Sequence, residues 1–220
     1  MENSFDIIII GGGPGGYKTA TYAASKGLTV LVVEKAELGG TCLNCGCIPT
    51  KTYARNAEII QTLKEADVYG LDELSFSFNF KTAYERKNNV IDALRNGIST
   101  LLSAPGITVV KGEAVLKSAS SVYVNGEEYS AKNIIIATGS ESKTLPIAGL
   151  DADMICDSTW LLSTDTLPKR ICIVGAGVIG MEFASILNSF GCEVSVVEFL
   201  KECLPALDGD IAKRLRKCLE

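Results

Sequence analysis

Ile7-Ile8-Ile9-Ile10-Gly11-Gly12-Gly13-Pro14-Gly15-Gly16 is the stretch from which the rest of the chain is read. Four β-branched residues in a row predict a strand buried on both faces, and the glycine run that cuts it off predicts a tight turn. Tyr17, Ala20, Ala23 and Ala24 then fall at helical spacing over residues 17–26. Residues 28–33 form a second apolar strand that ends at Glu34. Strand, glycine turn, helix and strand make a βαβ unit. The pattern returns in residues 171–174, in Gly175-Ala176-Gly177-Val178-Ile179-Gly180, in a helix over 181–190 and in a strand over 193–197 ending at Glu198. Gly11 to Glu34 and Gly175 to Glu198 both span 23 positions. Equal spacing in two such units is far more specific than either motif alone.

Each Gly-x-Gly-x-x-Gly allows a tight turn, a close approach of backbone to a pyrophosphate, and close packing of helix on strand. The pyrophosphate then meets the free N–H groups and the positive end of the helix. Glu34 and Glu198 lie where a carboxylate accepts hydrogen bonds from ribose hydroxyls. At Glu198 this favours NAD over NADP, whose 2′-phosphate the carboxylate would repel. Expected fold class is therefore α/β: a Rossmann-like dinucleotide-binding (FAD/NAD(P)-type) parallel sheet with a small β-meander, followed by an incomplete second Rossmann unit.

Between the two units, a cysteine-rich loop at 39–47 leads to Pro49, where a helix is expected to begin. Ala54, Ala57, Ile60 and Leu63 carry its helical spacing. Residues 75–80 form a short connection. Over 81–103, Val90, Leu94, Ile98, Leu101 and Leu102 predict one apolar helix face. Residues 107–111, 114–116 and 122–124 read as the meander, with Asn125-Gly126 as a hairpin turn. Residues 134–137 read as a buried strand ending in Thr138-Gly139-Ser140, and residues 208–220 as a charged amphipathic helix.

Composition narrows the chemistry. Among 220 residues there are 21 Gly, 8 Cys and no His, and the net charge is −5. The acidic balance argues against a nucleic-acid or anionic-membrane surface. No unbroken apolar stretch exceeds six residues, so no transmembrane helix is expected. The acidic start, Met1-Glu2-Asn3-Ser4-Phe5-Asp6, lacks the cationic region of a secretory signal, which points to the cytoplasm. Without His, no imidazole base, His metal site or His-based triad comes from this chain.

Cys42, Cys45 and Cys47 fall within six residues, in Gly39-Gly40-Thr41-Cys42-Leu43-Asn44-Cys45-Gly46-Cys47-Ile48-Pro49-Thr50-Lys51. Three readings compete: structural thiols, a metal or iron–sulfur site, and a redox-active dithiol. A metal site lacks a second cysteine pair or His to complete four ligands, so no metal is expected. The dithiol reading gains from Cys47 standing at a helix start, where the dipole favours a thiolate. A reducing compartment also makes a disulfide more often catalytic than structural. Cys156, Cys172, Cys192, Cys203 and Cys218 read as buried small hydrophobes.

This cysteine segment, set between two glycine fingerprints, resembles that of the flavoprotein pyridine nucleotide–disulfide oxidoreductases over essentially the whole chain. Leu43, Asn44, Ile48 and Thr50 resemble the dihydrolipoamide dehydrogenase branch more than mercuric or glutathione reductases. The resemblance implies oxidation of dihydrolipoamide to lipoamide by NAD⁺ through FAD and a Cys42–Cys47 disulfide. Cys42 would be the interchange thiol and Cys47 the flavin-facing one, with Lys51 near the flavin and paired to Glu182. Gly11, Gly13, Pro14, Gly16, Glu34, Lys35, Gly40, Thr41, Lys51, Ala114, Thr138 and Gly139 would hold FAD, within residues 1–148. Gly175, Gly177, Gly180 and Glu198 would hold NAD, within residues 149–220. Implied partners are dihydrolipoamide on an acyltransferase or lipoyl-carrier protein, and a second subunit in a homodimer of the full-length form.

Two departures stand beside the matches. Cys45 occupies a position where the family usually carries another residue. The family also continues into a returning flavin segment and an interface domain with a His–Glu pair, neither of which occurs here. The chain therefore reads as an N-terminal piece, with negligible lipoamide turnover expected from it alone. A standalone flavin-binding or thiol-redox module is the alternative, as is a fragment of a mercuric or glutathione reductase-like enzyme.

Overall fold

The computed structural model describes residues 3–143, 146–149 and 152–219. They group into two compact units, residues 1–48 with 89–157 and residues 49–88 with 158–220.

In the first unit, β1 (Ser4–Ile10), β2 (Val30–Glu34), β3 (Ile107–Lys111), β4 (Val115–Ser118), β5 (Ser121–Val124) and β6 (Glu127–Ile136) form one sheet in the order β3-β2-β1-β6-β5-β4. β1 pairs in parallel with both β2 and β6, so Ile8 faces Leu31 on one side and Ile134 on the other. That central place explains the unbroken apolar run: Ile8, Ile9, Leu31 and Val32 are completely buried. Alternation then divides them. Ile9, Val30 and Val32 pack on one face with Ala20 and Ala23 of α1 (Pro14–Ser25), while Ile8, Leu31 and Val33 pack on the other with Val122 and Val124.

The meander differs from its expected composition. β3 belongs to the parallel sheet, in register with β2 from Val30↔Ile107 to Glu34↔Lys111. The antiparallel hairpins are instead made by β4, β5 and the first half of β6. β6 is one long strand whose second half pairs with β1, so the residues expected as a separate strand at 134–137 continue the hairpin. Parallel pairing is non-local and leaves no turn signal in sequence, whereas Asn125 and Gly126, both at positive φ, make the expected β5–β6 turn.

The helices correct the reading in two further places. The segment expected as a cysteine loop contains α2 (Gly40–Cys45), and α3 (Cys47–Lys64) starts at Cys47 rather than at Pro49. On α4 (Phe80–Leu102) the buried stripe is Ala83, Lys87, Ile91, Ile98 and Leu102, while Leu94 and Leu101 are exposed. The expected face was thus rotated, because a buried Lys hid its true edge.

The second unit holds α5 (Ser158–Ser163), β7 (Arg170–Val174), α6 (Val178–Ser189), β8 (Glu193–Val197) and α7 (Gly209–Leu219). β7 and β8 pair in parallel as a two-stranded sheet. Its core joins Phe183, Leu187 and Phe190 to Tyr53, Ala57 and Ile60 of α3, with Phe78 stacked on Phe190 at 4.5 Å between ring centroids. The five outlying cysteines do not share one environment, as had been expected of them. Cys192 and Cys203 are buried, but Cys156, Cys172 and Cys218 are exposed. Cys172 sits on β7, where alternate residues turn to solvent.

Candidate functional site

The two glycine turns have the same construction. Gly11 and Gly175 take φ of 111° and 107°, a left-handed conformation that a side chain would strain. Gly13 and Gly177 cap α1 and α6 in extended conformation. A Cβ on Gly16 would run into the carbonyl oxygen of Gly11, and one on Gly180 into that of Gly175. Each strand hands its chain to the turn through one bond, from the Gly11 N–H to Val33 O at 2.7 Å and from the Gly175 N–H to Val197 O at 2.8 Å.

Neither helix start has a side-chain cap or an acidic residue in its first turn. The uncapped N–H groups and glycine-lined approach suit a phosphate, which the helix end also favours electrostatically. Pro14 at the first helical position removes one N–H that would be orphaned anyway. The residues present therefore fit the dinucleotide groups expected of them.

Glu34 and Glu198 prove more committed than their motif implied. The Glu34 carboxylate accepts the N–H of Gly12 at 2.6 Å and of Ala36 at 2.8 Å. Glu198 accepts the N–H of Ala176 at 2.7 Å and of Leu200 at 2.8 Å. Those N–H groups, of Leu200 first and then Ala176, hold the Glu198 carboxyl below the usual carboxylate range. Each carboxylate thus ties the end of its strand to the glycine turn, and its remaining lone pairs stay available to a ribose.

Cys42 and Cys47 are bonded to each other, with their Cα atoms 4.6 Å apart, and Cys45 is free and half-buried. Cys42 lies in α2, Gly46 breaks the chain, and Cys47 opens α3. A Cβ at Gly46 would stand 2.9 Å from Thr41 O and 3.2 Å from the Cys42 Cα, so the turn closes because the residue there is glycine. Gly40 has positive φ and packs against the Gly13 Cα, while Thr41 is exposed. This brings the start of α2 beside the first glycine turn.

In the second unit, Lys51 of α3 forms an ion pair with Glu182 of α6, joining two residues 131 positions apart. Lys35 lies 3.9 Å from Glu113, both exposed. Ala114 is half-buried against the cluster that includes Val33, Val122 and Val124. Thr138 and Gly139 are exposed just after β6, with Gly139 at φ 73°. No group of three or more His, Cys, Asp or Glu suited to a metal occurs among the described residues.

Sequence reasoning passed over three groups. Lys87 is 2% exposed, donates to Leu162 O and lies over the Tyr84 ring at 4.2 Å. Burial lowers its pKa to about 8. Tyr53, on α3, is buried with its hydroxyl unpartnered, and burial raises its pKa. Arg95 of α4 reaches the side chain of Asn44 with two nitrogens. A polar residue four positions from both Ala83 and Ile91 was a legible sign for Lys87; Arg95 left none, since its partner is 51 residues away.

The pyridine nucleotide-disulphide oxidoreductase family model matches residues 5–220. The chain is 42% identical over 225 residues to the dihydrolipoyl dehydrogenase of Acholeplasma laidlawii, covering all of this chain and 67% of that protein. It is 40% identical over 233 residues to the dihydrolipoyl dehydrogenase of Bacillus subtilis, covering all of this chain and 49% of that one. Most such relatives are thus about twice as long. Among solved structures, the HOCl-induced flavoprotein disulfide reductase RclA from Escherichia coli is 35% identical with a TM-score of 0.86, over 97% of this chain and 46% of that one.

Proposed function

This chain belongs to the pyridine nucleotide-disulphide oxidoreductase family, and from that premise we propose that it carries the disulfide-bearing part of a dihydrolipoyl dehydrogenase, oxidising dihydrolipoamide to lipoamide with NAD⁺. The observation that carries this reading is the Cys42–Cys47 bond at the start of α3, following an open glycine turn. Gly11, Gly13, Pro14, Gly16, Glu34, Lys35, Gly40, Thr41, Lys51, Ala114, Thr138 and Gly139 hold FAD, with residues 1–148 as its domain. Gly175, Gly177, Gly180 and Glu198 hold NAD, within 149–220. Lys51, held by its ion pair with Glu182, would stand near the flavin. Bound FAD supplies the two-electron relay between the reduced cysteine pair and NAD⁺.

The chain's own step is a thiol–disulfide exchange. One dihydrolipoyl sulfur, as thiolate, attacks the Cys42 Sγ. The Cys42–Cys47 bond breaks and Cys47 leaves as a thiolate at the α3 N-terminus, where the helix end favours negative charge. The second lipoyl sulfur then attacks its neighbour in the mixed disulfide, closing lipoamide and releasing Cys42. Two electrons move to the cysteine pair; one substrate proton ends on Cys42 and the other goes to solvent. Abstracting protons from the dithiol needs a base with pKa near the working pH, usually His, and this chain has none. The exchange is therefore expected once per chain, with negligible NAD⁺-linked turnover.

The physiological substrate is a lipoyl group on an acyltransferase or carrier protein, met in the cytoplasm, and the working form is a homodimer. Among the described residues no helix is long and apolar enough to cross a membrane. The relatives near 40% identity weigh against a mercuric or glutathione reductase. The test treats the oxidised chain anaerobically with dihydrolipoamide and counts new thiols by mass spectrometry. Two should appear, at Cys42 and Cys47, faster than with glutathione at equal thiolate concentration. Equal rates would indicate a general disulfide module, and a bond that resists dihydrolipoamide would remove the lipoyl reading.

A further inference from the structure

Three thiols lie within six residues, yet one pair is bonded and Cys45 stays free. Helix α2, which carries both Cys42 and Cys45, is only six residues long and has too few internal bonds to hold itself. It is entered through Gly39 and Gly40, both at positive φ, and left through Gly46, so its ends can turn only where glycine permits it. Its placement has to come from tertiary bonds.

Leu43 is buried in the core, and Asn44 supplies the polar bonds. Its Nδ2 shares two N–H donors among the carbonyl oxygens of Glu37 at 3.2 Å, Leu38 at 3.0 Å and Gly40 at 3.1 Å. Its Oδ1 accepts from Arg95 Nε at 3.2 Å and Nη2 at 2.8 Å. Arg95 also meets the carboxylates of Asp92 at 3.1 Å and Glu37 at 3.7 Å. Glu37 receives Lys111 Nζ at 2.9 Å, and that bond first, with Arg95 a lesser cause, holds its carboxyl below the usual range. The planar guanidinium fork suits this double contact with one amide oxygen, and a lysine could not reproduce it.

We infer that the Arg95–Asn44 clasp is a positioning device that holds α2 in the register where Cys42 meets Cys47, leaving Cys45 out of the bond. Released from the clasp, α2 turns about its glycines and Cys45 reaches the bridge. Its thiolate then attacks Cys42 or Cys47; one S–S bond forms as the old one breaks, and the displaced sulfur takes up the proton Cys45 lost. The oxidation level of the three sulfurs is unchanged, so no outside oxidant is needed. For the exchange proposed above, the clasp protects the pair that accepts electrons; the inference rests on that reading of Cys42–Cys47.

The test locates the free thiol. Oxidised full-length chain is alkylated in denaturant at low pH, reduced, alkylated with a second reagent and sequenced by tandem mass spectrometry. Wild type should carry the first label on Cys45. In Arg95→Met the first label should spread to Cys42 or Cys47, with at least a tenfold rise in misplaced bonds. Arg95→Met combined with Cys45→Ser should return to a uniform Cys42–Cys47 bond, an outcome that attack by Cys156, Cys172, Cys192, Cys203 or Cys218 would not produce. If Arg95→Met is insoluble, Arg95→Lys carries the same readout, since it keeps the charge but cannot make the double contact with the Asn44 Oδ1. First label confined to Cys45 in the variant overturns the inference. First label on Cys42 or Cys47 in wild type overturns the functional reading instead.

Discussion

Lys87 makes the stability of the second unit depend on pH in a direction unusual for lysine. Its ammonium is surrounded by Tyr84 of its own helix, Tyr53 of α3 and the Leu162 carbonyl of α5, with no carboxylate paired to it among the described residues. Burial lowers its pKa from 10.5 to about 8. Between those values the unfolded chain holds a proton that the folded chain has lost, so stability rises with pH across the window. One pKa unit corresponds to about 1.36 kcal/mol, which makes the gain from pH 7 to pH 10 about 2 kcal/mol. The comparison is urea unfolding of wild type and Lys87→Met at pH 7, 8.5 and 10. Methionine keeps the unbranched apolar stem but cannot titrate, and the donor lost to Leu162 O costs the same at every pH. Trp160, the only tryptophan, lies on α5 and reports this unit by fluorescence. Wild type minus variant should rise by about 2 kcal/mol, nearly all of it above pH 8. A flat difference would refute the buried-amine account.

Other expectations concern single side chains. Tyr53→Phe removes the buried, unpartnered hydroxyl and should leave stability unchanged or raise it by about 1 kcal/mol in urea titrations; a loss of that size would mean the hydroxyl is bonded. Gly16→Ala and Gly180→Ala each drive a methyl into a backbone carbonyl and should cost about 2 kcal/mol or more, whereas Gly97→Ala, with open space around it on α4, should stabilise modestly. Glu182→Gln breaks an ion pair whose lysine side chain is 64% exposed, so its effect on the melting transition should stay within about 1 kcal/mol. A large loss of stability there would indicate a packing role for the pair.

How much was legible follows from the range over which each signal acts. The paired fingerprints, their 23-residue spacing and the Asn125-Gly126 turn were readable because glycine conformation and strand burial act within a few residues. The place of Ile107–Lys111 was not, because parallel pairing with Val30–Glu34 joins segments 77 positions apart with no turn between them. The rotated face of α4 was misread for a related reason. Periodicity counts Leu94 and Leu101 as core, but only the packed structure shows Lys87 taking a core position through its carbonyl and ring contacts.

By itself, the sequence determined which residues can bend sharply, which can be buried, and which can exchange electrons: the glycines of the two fingerprints, the isoleucine and valine strands, and three clustered thiols. These are properties of single residues and their near neighbours. Which thiols bond, which carboxylate ties down which turn, and which lysine is paired rather than buried were decided only by tertiary structure. Those outcomes depend on distances between residues such as Asn44 and Arg95, or Lys51 and Glu182, which the chain brings together only when it folds.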